Sequence, residues 1–426
     1  MPLRAHPDSL AGWLARLERL HPSTIELGLE RVRRVRDALG LAPAFPIVMV
    51  GGTNGKGSTC AYLEAILGAA GYRTGLYTSP HLLRYNERVR IAGREAGDAG
   101  LVAAFEKVDA ARGDTSLTYF EFGTLGAMAQ FIAAGVDVAI LEVGLGGRLD
   151  AVNVFDADVA VVTSVDLDHM DYLGDTREKI GFEKAGIYRG GRPAICADPA
   201  PPGSLLEHSR RIGADLRCAG RDFYTLRVGA RWTYRGPGLA WPDLPLPAMA
   251  GACQLRNAAG ALAALEAVRG RLPVSEAAIR RGLAVARVPG RFQRIARAPE
   301  VILDVAHNPE AARALAATLR EQPVSGRTLA VVGMLADKDA AAVFAALRDE
   351  VDAWWTCTPA SPRAQDAAVL AAALRAHAGT APVSVRPDVN SALAEARSAA
   401  HEDDRILVFG SFYTVAAVLD HAATQQ

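Results

Sequence analysis

The sequence predicts two α/β domains: an N-terminal parallel-sheet domain of P-loop type with a small antiparallel patch, and a C-terminal Rossmann-like domain. Three observations predict this. From residue 46 onward, short apolar runs alternate with helical patterns, the mark of a parallel sheet. The glycine-rich stretch 51-GGTNGKGST-59 follows the first apolar run and opens a helical pattern. A second series of apolar runs begins near residue 300, after 286-ARVPGRFQ-293, which reads as a linker. The boundary is placed between residues 1–287 and 288–426, and a chain of 426 residues suits two or three domains.

The elements follow in order. Leu10, Trp13, Leu14, Leu17 and Leu20 fall on one face of a helix, so the N-terminus is amphipathic and lacks the apolar core of a secretory signal. PIVMV (46–50), TGLYT (74–78), VDVAILE (136–142) and ADVAVVT (157–163) read as buried strands, with helical patterns over 58–70 and 121–134. Residues 217–247 carry Trp232, Tyr234 and Trp241 among glycines and prolines and suit the antiparallel patch. In the second domain EVILDVA (300–306), TLAVVG (328–333), DAWWTC (352–357), PVSV (382–385) and RILVFG (405–410) are the strands, separated by alanine-rich helical segments. Ligands favour strand ends of such sheets and clefts between such domains.

Composition narrows the class. The 47 basic and 47 acidic residues balance, which gives no electrostatic case for nucleic acid or a membrane surface. No apolar run is long enough to span a bilayer. Cys60, Cys196, Cys218, Cys253 and Cys357 are scattered, odd in number and free of C-x-x-C spacing, so they form neither a disulfide framework nor a zinc site. A soluble enzyme of the reducing cytoplasm is the expected class.

The glycine-rich stretch departs from the common G-x-x-x-x-G-K-[ST] pattern, because Gly57 separates Lys56 from Ser58 and Val50 stands where the first glycine belongs. Its setting still makes it a phosphate loop of ATPase type. Glycines let backbone N–H groups converge on phosphate oxygens, and the helix N-terminus adds positive potential. Lys56 is expected on the β- and γ-phosphates, and Ser58 or Thr59 supplies a hydroxyl to Mg²⁺. Glu142 ends a buried strand, where a carboxylate needs a partner or a metal, and it suits Mg²⁺. Read alone, it is equally a satisfied strand-end acid. His169 follows a buried strand among Asp166, Asp168 and Asp171; a lone histidine is more often structural, and imidazole is an unusual Mg²⁺ ligand. Lys184, in FEKAGI, reads on composition as a surface lysine. Asp304, His307 and Asn308 close a strand, Arg291 lies in the linker and Ser411 follows the last strand. Each alone is ordinary loop chemistry; together they set an acid, an imidazole, a cation and a hydroxyl at strand ends.

Eight segments occur in order: GTNGKGS, SPHLLRYNERVRI (79–91), EVGLGGRLDA (142–151), EKAGI (183–187), PGRFQ (289–293), DVAHNP (304–309), GMLADKD (333–339) and GSFYTV (410–415). Together they resemble the folylpolyglutamate synthase/dihydrofolate synthase family of Mur-type amide ligases over nearly the whole chain. GTNGKGS marks Mur-type ligases generally, SPHLLRYNERVRI and GGRLDA point to the folate branch, and RGDTSLTYFEFGTL (112–125) looks like the bifunctional bacterial enzymes. The resemblance implies ATP-driven formation of an acyl phosphate, then attack by L-glutamate, with dihydropteroate and reduced folates as acceptors. It implies that Asn54, Gly55, Lys56, Gly57, Ser58 and Thr59 hold ATP, joined by Asn257, Arg291 and Asp304. It places one Mg²⁺ at Ser58 and Glu142 and a second at Ser79, Glu142 and His169, with K⁺ as a further ion. It matches Lys184 to a lysine carbamylated in relatives, and His307 and Ser411 to positions tied to glutamate or to closure. Leu27, Thr118, Phe120, Asp150 and Ala151 correspond to the pterin pocket. Phe120 could stack on a pterin or pack in the core. Met170 after His169 and the extra acid Asp166 are the departures. The family inclines to a monomer.

Three rivals remain. A monofunctional folylpolyglutamate synthase differs only in acceptor. A cell-wall ligase shares GTNGKGS but needs an N-terminal uridine-binding domain, and the roughly 45 residues before the first strand are too few for one. A P-loop NTPase without ligase activity leaves Arg291, Asp304 and His307 without a purpose.

Overall fold

The computed structural model describes residues 7–23, 25–377 and 379–424. It forms two compact units, Met1–Pro247 with Leu255–Ala286, and Ala248–Gln254 with Arg287–Gln426.

In the first unit, α1 (Leu10–Leu17) and α2 (Glu30–Leu39) precede the sheet. Leu10, Trp13 and Leu17 of α1 are buried on one face, as the spacing predicts, and Ser9 caps the helix through Gly12 N. The sheet contains β1 (Ile47–Gly51), β2 (Thr74–Tyr77), β3 (Val89–Ile91), β4 (Arg94–Glu95), β5 (Val138–Glu142), β6 (Val159–Val162), β7 (Pro193–Cys196) and β8 (Asp215–Cys218). Their order is β4-β3-β2-β5-β1-β6-β7-β8. Every neighbour pair from β2 to β8 is parallel, while β3 and β4 add an antiparallel edge. The central strands are continuous apolar runs because helices cover both faces, so no alternation is possible.

The covering helices are α3 (Lys56–Ala69), α4 (Asp98–Arg112), α5 (Tyr119–Ala134), α6 (Met170–Leu173), α7 (Arg177–Ala185), α8 (Gly203–Ile212), α9 (Ala252–Ala267) and α10 (Glu276–Val285). Between α8 and α9, β9 (Tyr224–Val228), β10 (Arg231–Arg235) and β11 (Ala240–Pro245) make the expected antiparallel patch, ordered β11-β10-β9. Trp232 and Tyr234 are buried in it.

The second unit carries β12 (Gln293–Arg297), β13 (Glu300–Asp304), β14 (Thr328–Val332), β15 (Ala353–Thr356), β16 (Val383–Val385) and β17 (Arg405–Phe409), ordered β12-β13-β17-β14-β15-β16. All five strands expected from its apolar runs are present and mutually parallel. Helices α11 (Pro309–Glu321), α12 (Ala340–Leu347), α13 (Ala367–His377), α14 (Val389–Ala399) and α15 (Phe412–Thr424) connect and cover them. β12 is an addition. It grows out of the stretch read as a linker and pairs antiparallel with β13 at the sheet edge. Half-buried QRIAR has no apolar run to announce it. Short β4, exposed and charged, is equally unannounced, and β7 is an apolar run hidden by the proline on which it opens. No described helix is long and apolar enough to cross a membrane.

Candidate functional site

The candidate phosphate loop occupies the turn from β1 into α3. Gly52 (φ +144°) and Gly55 (φ +86°) hold backbone conformations that other residues rarely adopt. Both are also pressed by neighbours: a Cβ at Gly52 would lie 1.9 Å from Thr163 Oγ1, and one at Gly55 would lie 2.3 Å from Asn257 Oδ1. The segment after β6 anchors the loop. Thr163 Oγ1 donates to Asn54 O at 2.6 Å, Asn54 N donates to Ser164 Oγ at 3.1 Å, and Thr53 Oγ1 donates to Asp166 O at 3.0 Å. Asp166, an unexplained extra acid in the sequence, therefore supports the loop through its backbone. Lys56 donates from Nζ to Gly52 O and Thr53 O, both at 3.0 Å, so its ammonium lies over the loop.

Ser58 and Thr59 are buried in the first turn of α3. Thr59 Oγ1 points to Asn257 O, 3.5 Å away on α9. Parallel pairing of Val50 with Glu142 brings the acid beside the loop. Glu142 is buried, its Oε2 accepts from Ser79 N at 3.2 Å, and a Cβ on Gly57 would lie 3.9 Å from both of its oxygens. A buried carboxylate beside the first turn of α3, the turn that carries Ser58, fits a hard cation bound by oxygen, which keeps few protein ligands and several from phosphate or water. Among the described residues, no group of three His, Cys, Asp or Glu side chains converges on one point. His169 sits at the start of α6 with φ +51°, its ring 3.9 Å from Asp168 and about one-third exposed. Lys184 is buried on α7, against the surface position its composition predicts. Its helix is locked to the 144–148 loop: Arg148 N donates to Glu183 O, and Arg148 Nη2 pairs with Glu183 Oε1 at 2.8 Å.

The pterin candidates gather around Gly144. A Cβ there would lie 2.8 Å from Phe120 Cζ and 3.2 Å from Asp150 Oδ2. Thr118 caps α5 and Ala151 begins the turn after Asp150; both are buried. Gly28 N donates to Leu149 O, which brings the half-buried Leu27 loop to the same place. Asp150 accepts from Leu145 N at 2.8 Å and Val152 N at 3.1 Å. Burial pushes its carboxyl up to about 7, while those donors, Gly144 N and Lys56 pull the other way. Phe120 is half-buried with its ring 5.7 Å from Tyr77, so it has one face on the core. Sequence reasoning missed the residues behind it. The hydroxyls of Tyr77 and Tyr85 converge on Gly123, where a Cβ would lie 3.0 and 2.5 Å away. Arg88 lies over the Tyr85 and Tyr119 rings and donates to His81 Nδ1 at 2.8 Å. Burial, then Arg88, holds that imidazole down to about 4, hence neutral.

In the second unit the candidates meet at the ends of β13 and β17. Asp304 accepts from Phe292 N and Ala306 N, both at 2.8 Å. Burial raises its carboxyl above the usual range, opposed first by Arg291. His307 Nδ1 donates to Val305 O at 2.8 Å, which leaves Nε2 as the acceptor in the neutral ring. Ser411 Oγ accepts from Thr414 N at 3.0 Å, and Thr414 Oγ1 donates to Gly333 O. Phe412 was not anticipated: Arg291 lies 5.5 Å over its ring, and the His307 ring centre is 6.2 Å away. An aromatic directly after Ser411 in GSFY was the available signal.

Residues 50–197 match the Mur ligase middle domain, and residues 290–412 match the Mur ligase glutamate ligase domain. The dihydrofolate synthase/folylpolyglutamate synthase of Escherichia coli K12 is 48% identical over 98% of this chain and 96% of its own. The chain belongs to the dihydrofolate synthase/folylpolyglutamate synthase family of Mur ligases. The Haemophilus influenzae protein of the same name is 40% identical over 98% of each chain. A solved structure of E. coli FolC in complex with DHPP and ADP superposes with a TM-score of 0.94 at 47% identity and full coverage of both chains. That of the bifunctional Yersinia pestis enzyme, complexed with AMPPNP and Mn ion, gives 0.92 at 46% identity, again over both full chains. The expected family, fold class and ligase class therefore hold, and the two rivals outside the folate branch fall away.

Proposed function

We propose that this chain uses ATP to ligate L-glutamate to dihydropteroate, and to tetrahydrofolate and its polyglutamates, through an acyl phosphate. The observation that carries the reading is whole-chain likeness to enzymes of that name, with a buried carboxylate, Glu142, set against the phosphate loop. A carboxylate is a poor electrophile, and phosphorylation gives it a leaving group. ATP and the attacking carboxylate are both anionic, so positive groups must offset their repulsion. Asn54, Gly55, Gly57 and the α3 N-terminus direct N–H dipoles at phosphate, and Lys56 exchanges its loop carbonyls for phosphate oxygens. Asn257, Arg291 and Asp304 hold the nucleotide. His307 Nε2 takes a hydrogen bond from the glutamate amine, and Ser411 orders the turn beside it. Leu27, Thr118, Phe120, Asp150 and Ala151 receive the pterin.

Ser58 with Glu142 would hold one Mg²⁺, since Thr59 is turned toward Asn257; Ser79, Glu142 and His169 would hold a second, and K⁺ is a further ion. A bound divalent cation supplies Lewis-acid charge neutralisation at the phosphates. Carbamylation of buried Lys184 would replace an ammonium by an anion. Domains of 1–287 and 288–426, a monomer and a cytoplasmic location complete the reading.

A substrate panel tests it. Glutamate-dependent ADP release is expected with dihydropteroate and with tetrahydrofolate. Release with tetrahydrofolate alone makes the enzyme a monofunctional folylpolyglutamate synthase, and release with neither rejects the function.

A further inference from the structure

The five cysteines are scattered in sequence, yet two of them meet in the fold. Cys196 is the last residue of β7 and Cys218 the last of β8, and they are direct partners in the parallel register. Neighbouring strands lie about 4.8 Å apart, inside the roughly 4.4–6.8 Å of Cα separation that a disulfide spans. Register partners direct their side chains to the same face. Both thiols are free and buried.

Their surroundings differ. A hydrogen bond with Cys196 lowers the Cys218 thiol, burial opposes this, and the Arg221 guanidinium lowers it further. The same hydrogen bond and deeper burial push the Cys196 thiol well up. Cys218 opens a tight turn, in which Cys218 N donates to Asp222 Oδ2 at 2.7 Å and Arg221 pairs with Asp222. Cys218, buried at the start of the turn, is lowered by the Arg221 cation and hydrogen-bonded to a second thiol that burial keeps protonated, the electrostatic pairing of an attacking and a resolving cysteine. The proposed chemistry of ligation uses neither.

We propose that Cys196 and Cys218 form a peroxide-responsive dithiol that closes to an intrachain disulfide between the last two strands of the first sheet. The Cys218 thiolate attacks the hydroxyl oxygen of a hydroperoxide, the O–O bond breaks, and the departing hydroxide or alkoxide takes up the proton that the thiol had released, leaving as water or alcohol and giving a sulfenic acid. Cys196 sulfur then displaces the hydroxyl, its proton joins the leaving oxygen as water, and the S–S bond forms. Two electrons pass from the pair to the peroxide, and a small thiol reverses the step by exchange. Both residues stand at the carboxyl ends of their strands, the end of the sheet that also carries the phosphate loop.

The test treats the full-length native chain with hydrogen peroxide, blocks remaining thiols with iodoacetamide, and maps peptides by mass spectrometry before and after dithiothreitol. The expected result is a cross-linked pair containing Cys196 and Cys218, short of two hydrogens and released by dithiothreitol. Cys60, Cys253 and Cys357 should carry no such link. Cys218→Ser should abolish the link. Cys196→Ser should trap Cys218 as a sulfenic acid that a dimedone probe labels. Two alkylated thiols in the oxidised wild-type chain would overturn the proposal. So would a link from either residue to another cysteine, or Cys218 found only as sulfonic acid. The wild-type measurement decides the matter even if a serine variant fails to fold.

Discussion

Replacing Gly52 by alanine tests whether the phosphate loop is held as described. Gly52 sits at φ +144°, and an added Cβ would meet Thr163 Oγ1 at 1.9 Å, Thr163 N at 3.0 Å and Ser164 N at 3.1 Å. A side chain in that conformation costs roughly 1–3 kcal/mol. Displacing the Thr163 hydroxyl breaks its 2.6 Å bond to Asn54 O, worth about 1 kcal/mol. The sum, about 2–4 kcal/mol, falls on the loop that must close around phosphate. If binding restores the native loop, the Kd for ADP rises about 30- to 700-fold. Calorimetric titration of Gly52→Ala with ADP reads this, with circular dichroism to check the fold. In a Thr163→Ala background the same substitution should weaken binding by about 1 kcal/mol less, because the hydroxyl clash is gone while the φ strain and the backbone contacts stay. A Gly52→Ala Kd within about threefold of wild type would refute the reasoning.

Lys56→Ala and Glu142→Ala should each lower kcat at least about 100-fold with the melting temperature little changed, as removal of a charge-stabilising group does; near-normal kcat in either variant removes its assigned role. Phe412→Ala should lower kcat/KM about 10-fold, since the ring supports both Arg291 and His307; steady-state kinetics with glutamate varied checks this. Asp150 gives a pH dependence. Its carboxyl is raised from 3.8 to about 7, so between those values the folded chain binds more protons than the unfolded chain. The stabilisation is complete below the lower value and is lost as pH rises through about 7. Asp150→Asn should flatten the fall in stability between pH 5 and 8 by up to about 3 kcal/mol, read by urea unfolding at both values. An unchanged slope would show that the carboxyl ionises normally.

What the sequence disclosed follows from range. β1, the glycine-rich loop and α3 are contiguous and obey a period, so the strand–loop–helix unit was legible in the sequence. β5 and β13 are uniform apolar runs, and Glu142 and Asp304 stood out as charges at their ends. β12 was hidden because an edge strand exposed on one side has neither a buried run nor clean alternation. Lys184 looked like a surface residue because α7 is short and charged, and only the packing of Gly147 against the Glu183 and Lys184 carbonyls shows that this face of the helix is turned inward. Asp166 looked like a spare acid because its contribution is made by the backbone, and composition carries no trace of a carbonyl. The Cys196–Cys218 pair is the clearest case. Twenty-one residues separate the two, and no local pattern joins them. Parallel pairing of β7 with β8 makes them neighbours, and that register is a property of the whole sheet, set by the buried strands on one side and the α8 crossover on the other. Residues whose chemistry depends on register are therefore the ones that sequence reading loses first, and functional residues outside motifs are best sought among register partners at strand ends.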